Sequence, residues 1–199
     1  MSPRPYNLGK RREAIDQSRQ QVLAAARSLL AEPGGSAFTV DAVARRADVA
    51  RATVYYQFGS KSGLLEAVCD HLAELGGLDG LAAAFTDPDP RHGLDVFVGC
   101  FGRFWAADRA ATRRLRALAA LDPEVGAVVA ARDERRHGGL GVLAGRLPGP
   151  PADRDHLVRV LAALTSFELF DALAGPGQNL TAVVPDVLRL VDATLGHAG

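Results

Sequence analysis

A chain of 199 residues that is 48% hydrophobic, 6% aromatic and 23% charged has apolar mass for one or two packed domains, which excludes a disordered or fibrous protein. Its formal net charge of +0 hides an uneven spread. Residues 1–62 carry ten Lys and Arg against five Asp and Glu, and residues 63–199 carry thirteen against eighteen, so a basic head precedes an acidic body.

Residues 1–10 hold two prolines, a glycine and no apolar period, and read as a flexible arm that ends in Lys10, Arg11 and Arg12. Such an arm suits a DNA backbone or minor groove, and it suits a solvated tail equally well. A helix is predicted from about Arg11 to Glu32, with Ile15, Val22, Leu23, Ala26, Leu29 and Leu30 as its inner stripe and Pro33-Gly34-Gly35 as its end. Thr39 then caps a short helix in which Val40, Val43, Ala44 and Ala47 fall at i, i+3, i+4 and i+7. Asp48 occupies the turn, because Asp tolerates a left-handed backbone better than most residues. A second short helix follows from Ala50 to about Gln57. Val49 and Val54 pack it inward, and Arg51, Ala52, Thr53, Tyr55 and Tyr56 face outward. Gly59 and Ser60 end it and cap the next helix, which starts at Lys61 and carries Leu64, Leu65, Val68 and Leu72.

The outward residues have the chemistry of groove reading. Arg pairs bidentately with guanine, a Thr or Ala methyl meets the thymine methyl, and Tyr hydroxyls and Lys61 suit phosphate. Spacing alone leaves a second reading open, since helix-turn-helix pairs are common in all-α proteins and Tyr55, Tyr56 and Phe58 would serve equally as core aromatics.

The run Thr39, Val40, Val43, Ala44, Val49, Ala50, Thr53, Val54, Tyr55, Phe58, Lys61, Leu64 closely resembles the DNA-binding domain of TetR/AcrR-type transcriptional regulators. The likeness covers about Arg19 to Val68. Asp48 stands where that family usually has Gly, and Ala50 replaces the commoner Ser, which weakens the cap. The resemblance implies an all-α protein of about nine helices. Its helix-turn-helix domain would lie in residues 1–60, with Thr39, Arg51, Ala52, Thr53, Tyr55, Tyr56 and Lys61 on DNA, and a ligand-binding and dimerisation domain in residues 61–199. It further implies double-stranded operator DNA and a small-molecule effector as partners, and most relatives of this kind act as repressors.

The fourth helix, Lys61 to about Leu75, passes from head to body and is the natural coupling element. Gly76-Gly77, Gly80 and the prolines at 88 and 90 make a loop with one helical turn around Leu81 to Phe85. The helix His92 to Ala107 concentrates the aromatic content in Phe97, Phe101, Phe104 and Trp105, spaced by Gly99, Cys100 and Gly102. Two readings stand: packed core, or a pocket for an apolar ligand lined by these rings with Phe167 and Phe170. Helices follow at about Ala110 to Leu121, Pro123 to Leu147 (weakened by Gly138, Gly139, Gly141 and Gly145), Asp153 to Ala174 and Leu180 to Leu195. The last has Val184, Val187, Val191 and Leu195 on one stripe. Together the final two offer more apolar surface than a small body covers, which points to a four-helix homodimer interface.

Chemistry for catalysis is thin. Glu168 and Asp171 share a helical face as an acid/base pair or as plain polar contacts, and the histidines have no metal-ligand spacing. Cys69 and Cys100 are far apart with no Cys-x-x-Cys, so neither a zinc site nor a disulfide framework is expected, and no cofactor is implied. No signal peptide and no membrane-spanning run are visible, so the expected compartment is the cytoplasm, with no membrane partner. Three functions remain: a ligand-released DNA-binding regulator, a ligand-free architectural DNA-binding dimer, and an all-α enzyme, for which no converging catalytic residues are found.

Overall fold

In the computed structural model, which describes residues 6–32, 38–148 and 154–196, the chain is built from α-helices joined by short turns. They are α1 (Tyr6–Ala31), α2 (Val40–Arg46), α3 (Arg51–Phe58), α4 (Lys61–Leu75), α5 (Ala82–Thr86), α6 (Pro90–Ala107), α7 (Arg109–Ala119), α8 (Pro123–Arg146), α9 (Arg154–Leu164), α10 (Phe167–Ala174) and α11 (Val184–Gly196). Short 3-10 turns at Leu78–Leu81 and Leu180–Val183 lead into α5 and α11. The chain divides into two compact units, Met1–His71 and Leu72–Gly199, and the division falls within α4.

The all-α expectation holds, and the count of about nine rises to eleven among the described residues for two local reasons. The single turn expected near Leu81 is a short helix, α5. The long helix expected from Asp153 to Ala174 is two, because Ser166 takes an extended backbone (φ −72°, ψ 152°) and its Oγ accepts from the Leu169 backbone N–H at 3.3 Å, capping a new start. The break leaves carbonyls to satisfy. Arg136 on α8 donates to the Ala162 carbonyl at 2.5 Å and the Thr165 hydroxyl at 2.8 Å, while Trp105 Nε1 donates to the Thr165 carbonyl at 3.0 Å.

The head packs Val22, Leu23, Ala26 and Leu30 of α1, Val40 and Val43 of α2, Val54 and Phe58 of α3, and Leu64, Leu65 and Val68 of α4, all buried. Two expectations for α1 change. It begins at Tyr6 rather than Arg11, because both prolines precede that point and one glycine, Gly9, costs a long helix only about 1 kcal/mol. Ile15, assigned to the inner stripe, is exposed. Residues 1–5 of the proposed arm and the stop Pro33-Gly34-Gly35 lie outside the described residues.

In the body, α6 is the central helix. Leu94, Phe97, Val98, Phe101 and Trp105 meet Leu140 and Leu143 of α8, Leu161 of α9, Phe167 and Phe170 of α10, and Val187 and Val191 of α11 in one buried cluster. The Val184–Val187–Val191–Leu195 stripe, assigned to a dimer interface, therefore faces the protomer's own core: Val187 and Val191 are 0% exposed. The body is better covered than its composition suggests, because α6 lies beneath α11. What the last two helices leave exposed is Leu173 and Leu190.

The glycines of α8 are not equivalent. A Cβ at Gly139 would press on the Phe85 and Phe97 rings at 3.1 and 3.3 Å, whereas a Cβ at Gly138 or Gly145 meets nothing within 4 Å. Gly138→Ala and Gly145→Ala are therefore expected to stabilise the body by about 0.5–1 kcal/mol each, since alanine costs a helix less backbone entropy. Urea melts followed by Trp105 fluorescence, the only tryptophan, measure this. A lower midpoint for either variant contradicts it.

Candidate nucleic-acid interface

Helix α2 starts where Thr39, in extended backbone (φ −130°, ψ 153°), accepts the Ala42 backbone N–H on its hydroxyl at 3.1 Å. Thr39 is exposed, but that hydroxyl is engaged in the cap. The turn after α2 needs a left-handed residue, and Asp48 supplies it at φ 52° while Val49 donates back to the Ala44 carbonyl at 3.0 Å. Ala50 opens α3 with no side-chain cap bond, as its methyl dictates. Gly59 (φ 76°) reverses the chain after α3. Ser60 then accepts the Gly63 N–H at 3.0 Å to begin α4.

One dependence that sequence reading missed is Gly63. A Cβ there would stand 2.1 Å from the Phe58 carbonyl oxygen, so the first turn of α4 touches the end of α3 only because position 63 has no side chain. The inner side of α3 is also tied to α1. Gln57 donates to the Ser18 hydroxyl at 3.1 Å, Arg19 donates to the Gln57 carbonyl at 3.3 Å, and the Arg19 guanidinium lies 4.5 Å from the centre of the Phe58 ring.

These supports leave one side of α3 to solvent. Val54 and Phe58 are buried, so Phe58 is the core aromatic of the three rings. Tyr56 is 81% and Tyr55 39% exposed, Arg51 and Ala52 are exposed, and Thr53 and Lys61 are half-buried. At that exposure Tyr56 contributes little burial to its own unit. Arg51 donates to Asp41 Oδ2 and to the Tyr55 hydroxyl, each at 3.2 Å, and lies 5.4 Å from the Tyr55 ring centre. The Tyr55 hydrogen bond and the Asp41 charge both raise the Arg51 pKa, so its positive charge is secure.

Residues 22–68 match the family described as bacterial regulatory proteins, tetR family. Those residues are the helices just described, and the sequence resemblance rests on the same positions. Residues 22–68 thus form a DNA-binding head of the tetR type. It is 31% identical over 117 residues to the HTH-type transcriptional regulator EthR of Mycolicibacterium smegmatis, a match covering 56% of this chain and 54% of that protein. The match thus spans about half the length of that curated relative. Solved structures share the TetR-family fold over nearly the whole chain. A TetR-like transcriptional regulator from Rhodococcus sp. RHA1 superposes with TM-score 0.62 at 24% identity, covering 90% of this chain and 96% of that one. A transcriptional regulator from Saccharomonospora viridis in complex with choline gives TM-score 0.63 at 18% identity over 92% and 97%.

In the body the candidate ligand residues form one run of ring contacts. Centroids are 4.7 Å apart for Phe97–Phe101, 6.0 Å for Phe101–Phe104, 4.4 Å for Phe104–Trp105 and 5.7 Å for Trp105–Phe167. Phe97, Phe101, Trp105, Phe167 and Phe170 are buried and Phe104 is half-buried. The room expected beside Gly102 is taken, since a Cβ there would lie 2.5 Å from Val184 Cγ2 and 3.2 Å from Phe170 Cε1. Phe167 also forms part of the wall of an open cleft of about 370 Å3, with Arg113, Arg116, Ala117, Glu168, Asp171 and Ala172. There Glu168 pairs with Arg116, and Asp171 accepts from Arg109 and Arg113 at 2.6 Å each, so the two carboxylates act as ion-pair partners and not as a free acid/base pair. Burial disfavours the Asp171 carboxylate, but the hydrogen bonds from Arg113 and Arg109 outweigh it and hold its pKa below the usual range. Cys69 and Cys100 are buried thiols, and no group of three metal-ligating side chains exists among the described residues. No described helix is long and apolar enough to cross a membrane.

Proposed function

We propose that this chain is a one-component transcriptional regulator that docks α3 in the major groove of an operator. The observation that carries this reading is the solvent-facing side of α3, where Arg51, Ala52, Tyr55 and Tyr56 are exposed while Val54 and Phe58 on the opposite side are buried in the head. Thr39, Thr53 and Lys61 complete the DNA-contacting set, and the basic balance of residues 1–62 favours approach through the head. The direct test is a gel-shift titration against the promoter beside its own gene at several salt concentrations. Arg51→Ala is expected to cost about 1–3 kcal/mol and to relax preference at one base pair, whereas Lys61→Ala weakens all sequences alike and lowers the salt slope by about one. Wild-type affinity in both variants would refute α3 as the recognition helix.

The chain acts as a homodimer in this proposal, presenting two heads to half-sites about 34–36 Å apart or more, and the exposed Leu173 and Leu190 mark the contacting faces. It is a repressor, released by a small, largely apolar effector among Phe97, Phe101, Phe104, Trp105, Phe167 and Phe170. Since those rings touch one another, the effector gains room by displacing them, and the cleft at Phe167 offers a way in. The choline complex of the Saccharomonospora protein supports small-molecule binding by a body of this fold. Helix α4, whose residues are divided between both units, carries the coupling, for which 1–3 kcal/mol gives a 5–150-fold change in DNA affinity. Adding candidate compounds to the promoter assay tests release.

A further inference from the structure

Among the outward residues of α3, Arg51 is the only cation, and its guanidinium is held from two helices. From α2, Asp41 accepts its NH1 group on Oδ2 at 3.2 Å and lies 3.2 Å away through Oδ1 as well. From the next turn of α3, the Tyr55 hydroxyl accepts its NH2 group at 3.2 Å, with the Tyr55 ring alongside. We propose that Asp41 is a positioning residue for sequence readout, fixing the direction in which Arg51 meets a base. The inference rests on the reading of α3 as the recognition helix.

Four physical points carry it. The Arg51 and Asp41 side chains are 58% and 48% exposed, and an ion pair that open to water contributes little to folding, so stability does not account for the arrangement. Arginine has many rotamers, and a guanidinium ordered before docking loses less freedom when it binds. Only one hydrogen on each terminal nitrogen is engaged here, which leaves a second N–H on each for a bidentate acceptor such as guanine. Finally, a carboxylate on a face that meets phosphates is repelled by every DNA sequence alike. Asp41 therefore lowers non-specific binding while directing specific binding, and both effects raise the specificity ratio.

A competing role for Asp41 is structural, because it lies in the first turn of α2 where a negative charge favours the helix end. That role would leave the specificity ratio alone. The experiment uses the full chain. The wild type selects its preferred site from a randomised duplex pool, and wild type, Asp41→Asn, Arg51→Ala and the double variant are titrated against that site and a scrambled duplex. Asp41→Asn is expected to weaken the selected site about 2–10-fold while leaving scrambled binding unchanged or stronger. Added to Arg51→Ala, it should no longer lower the ratio. Asp41→Glu should restore part of the preference, and Tyr55→Phe should shift it in the same direction as Asp41→Asn. An unchanged ratio in Asp41→Asn, or an equal loss in the Arg51→Ala background, overturns the proposal. If circular dichroism shows Asp41→Asn unfolded, Asp41→Glu and Tyr55→Phe decide by the same cycle. A wild type that enriches no sequence refutes the recognition-helix reading itself, and the proposal with it.

Discussion

Replacing Val187 with arginine is expected to destabilise the helical body strongly, not to split a dimer. Val187 is 0% exposed and belongs to the cluster that joins α11 to Phe97, Phe101 and Phe170. Burying a charge there with no partner costs about 4 kcal/mol or more, a large share of the 5–15 kcal/mol that holds a typical protein together. For a chain of this size that corresponds to a loss of roughly 8–16 °C in Tm. Leu190→Arg is the contrasting variant. Leu190 is 41% exposed on the same helix, so its fold should survive. If the exposed side of α11 joins two copies, that variant should sediment as a monomer with native circular dichroism. Thermal melts beside sedimentation velocity separate the two cases, and a Val187→Arg protein that melts like the wild type would show that α11 faces the other way.

Gly63→Ala should destabilise the head, reversing the usual sign of a glycine-to-alanine change within a helix. Alanine ordinarily gains a helix about 1 kcal/mol over glycine. Here the added methyl would lie 2.1 Å from the Phe58 carbonyl oxygen, which itself accepts the Ser60 N–H at 2.9 Å and so has little freedom to retreat. Overpacking against backbone costs about 1–3 kcal/mol, and relief requires moving the end of α3 away from α4. The expected result is a lower urea midpoint in far-UV circular dichroism and weaker operator binding. Trp105 fluorescence, which reports on the body, should keep its wild-type midpoint. A variant as stable as the wild type, with unchanged DNA affinity, would mean that α3 and α4 do not meet as described.

The head was largely legible in the amino-acid sequence because its determinants are local. The Thr39 cap, the left-handed Asp48, the weak Ala50 cap and the Gly59-Ser60 reversal each act on backbone within a few residues, and each appears in the structure as the sequence implies. The 3.6-residue period likewise placed Val54 inward and Tyr56 outward. Where several partners compete for one side chain, periodicity could not decide. The apolar stripe of α11 is real, but whether α6 or a second copy of the chain covers it depends on how closely α6 approaches, and that depends on Gly102 admitting Val184 and Phe170. The break between α9 and α10 needed Arg136 and Trp105, from helices far away in sequence, to take up the carbonyls it exposes. The contact of Asp41 with Arg51 and the need for a bare α-carbon at Gly63 belong to the same class. Sequence by itself determined most of the stretches that become helices and, for most of them, which side is apolar, since propensity and period are one-dimensional properties of the chain. The tertiary structure alone decided which apolar sides meet and which polar groups converge, because these depend on distances that sequence separation does not encode.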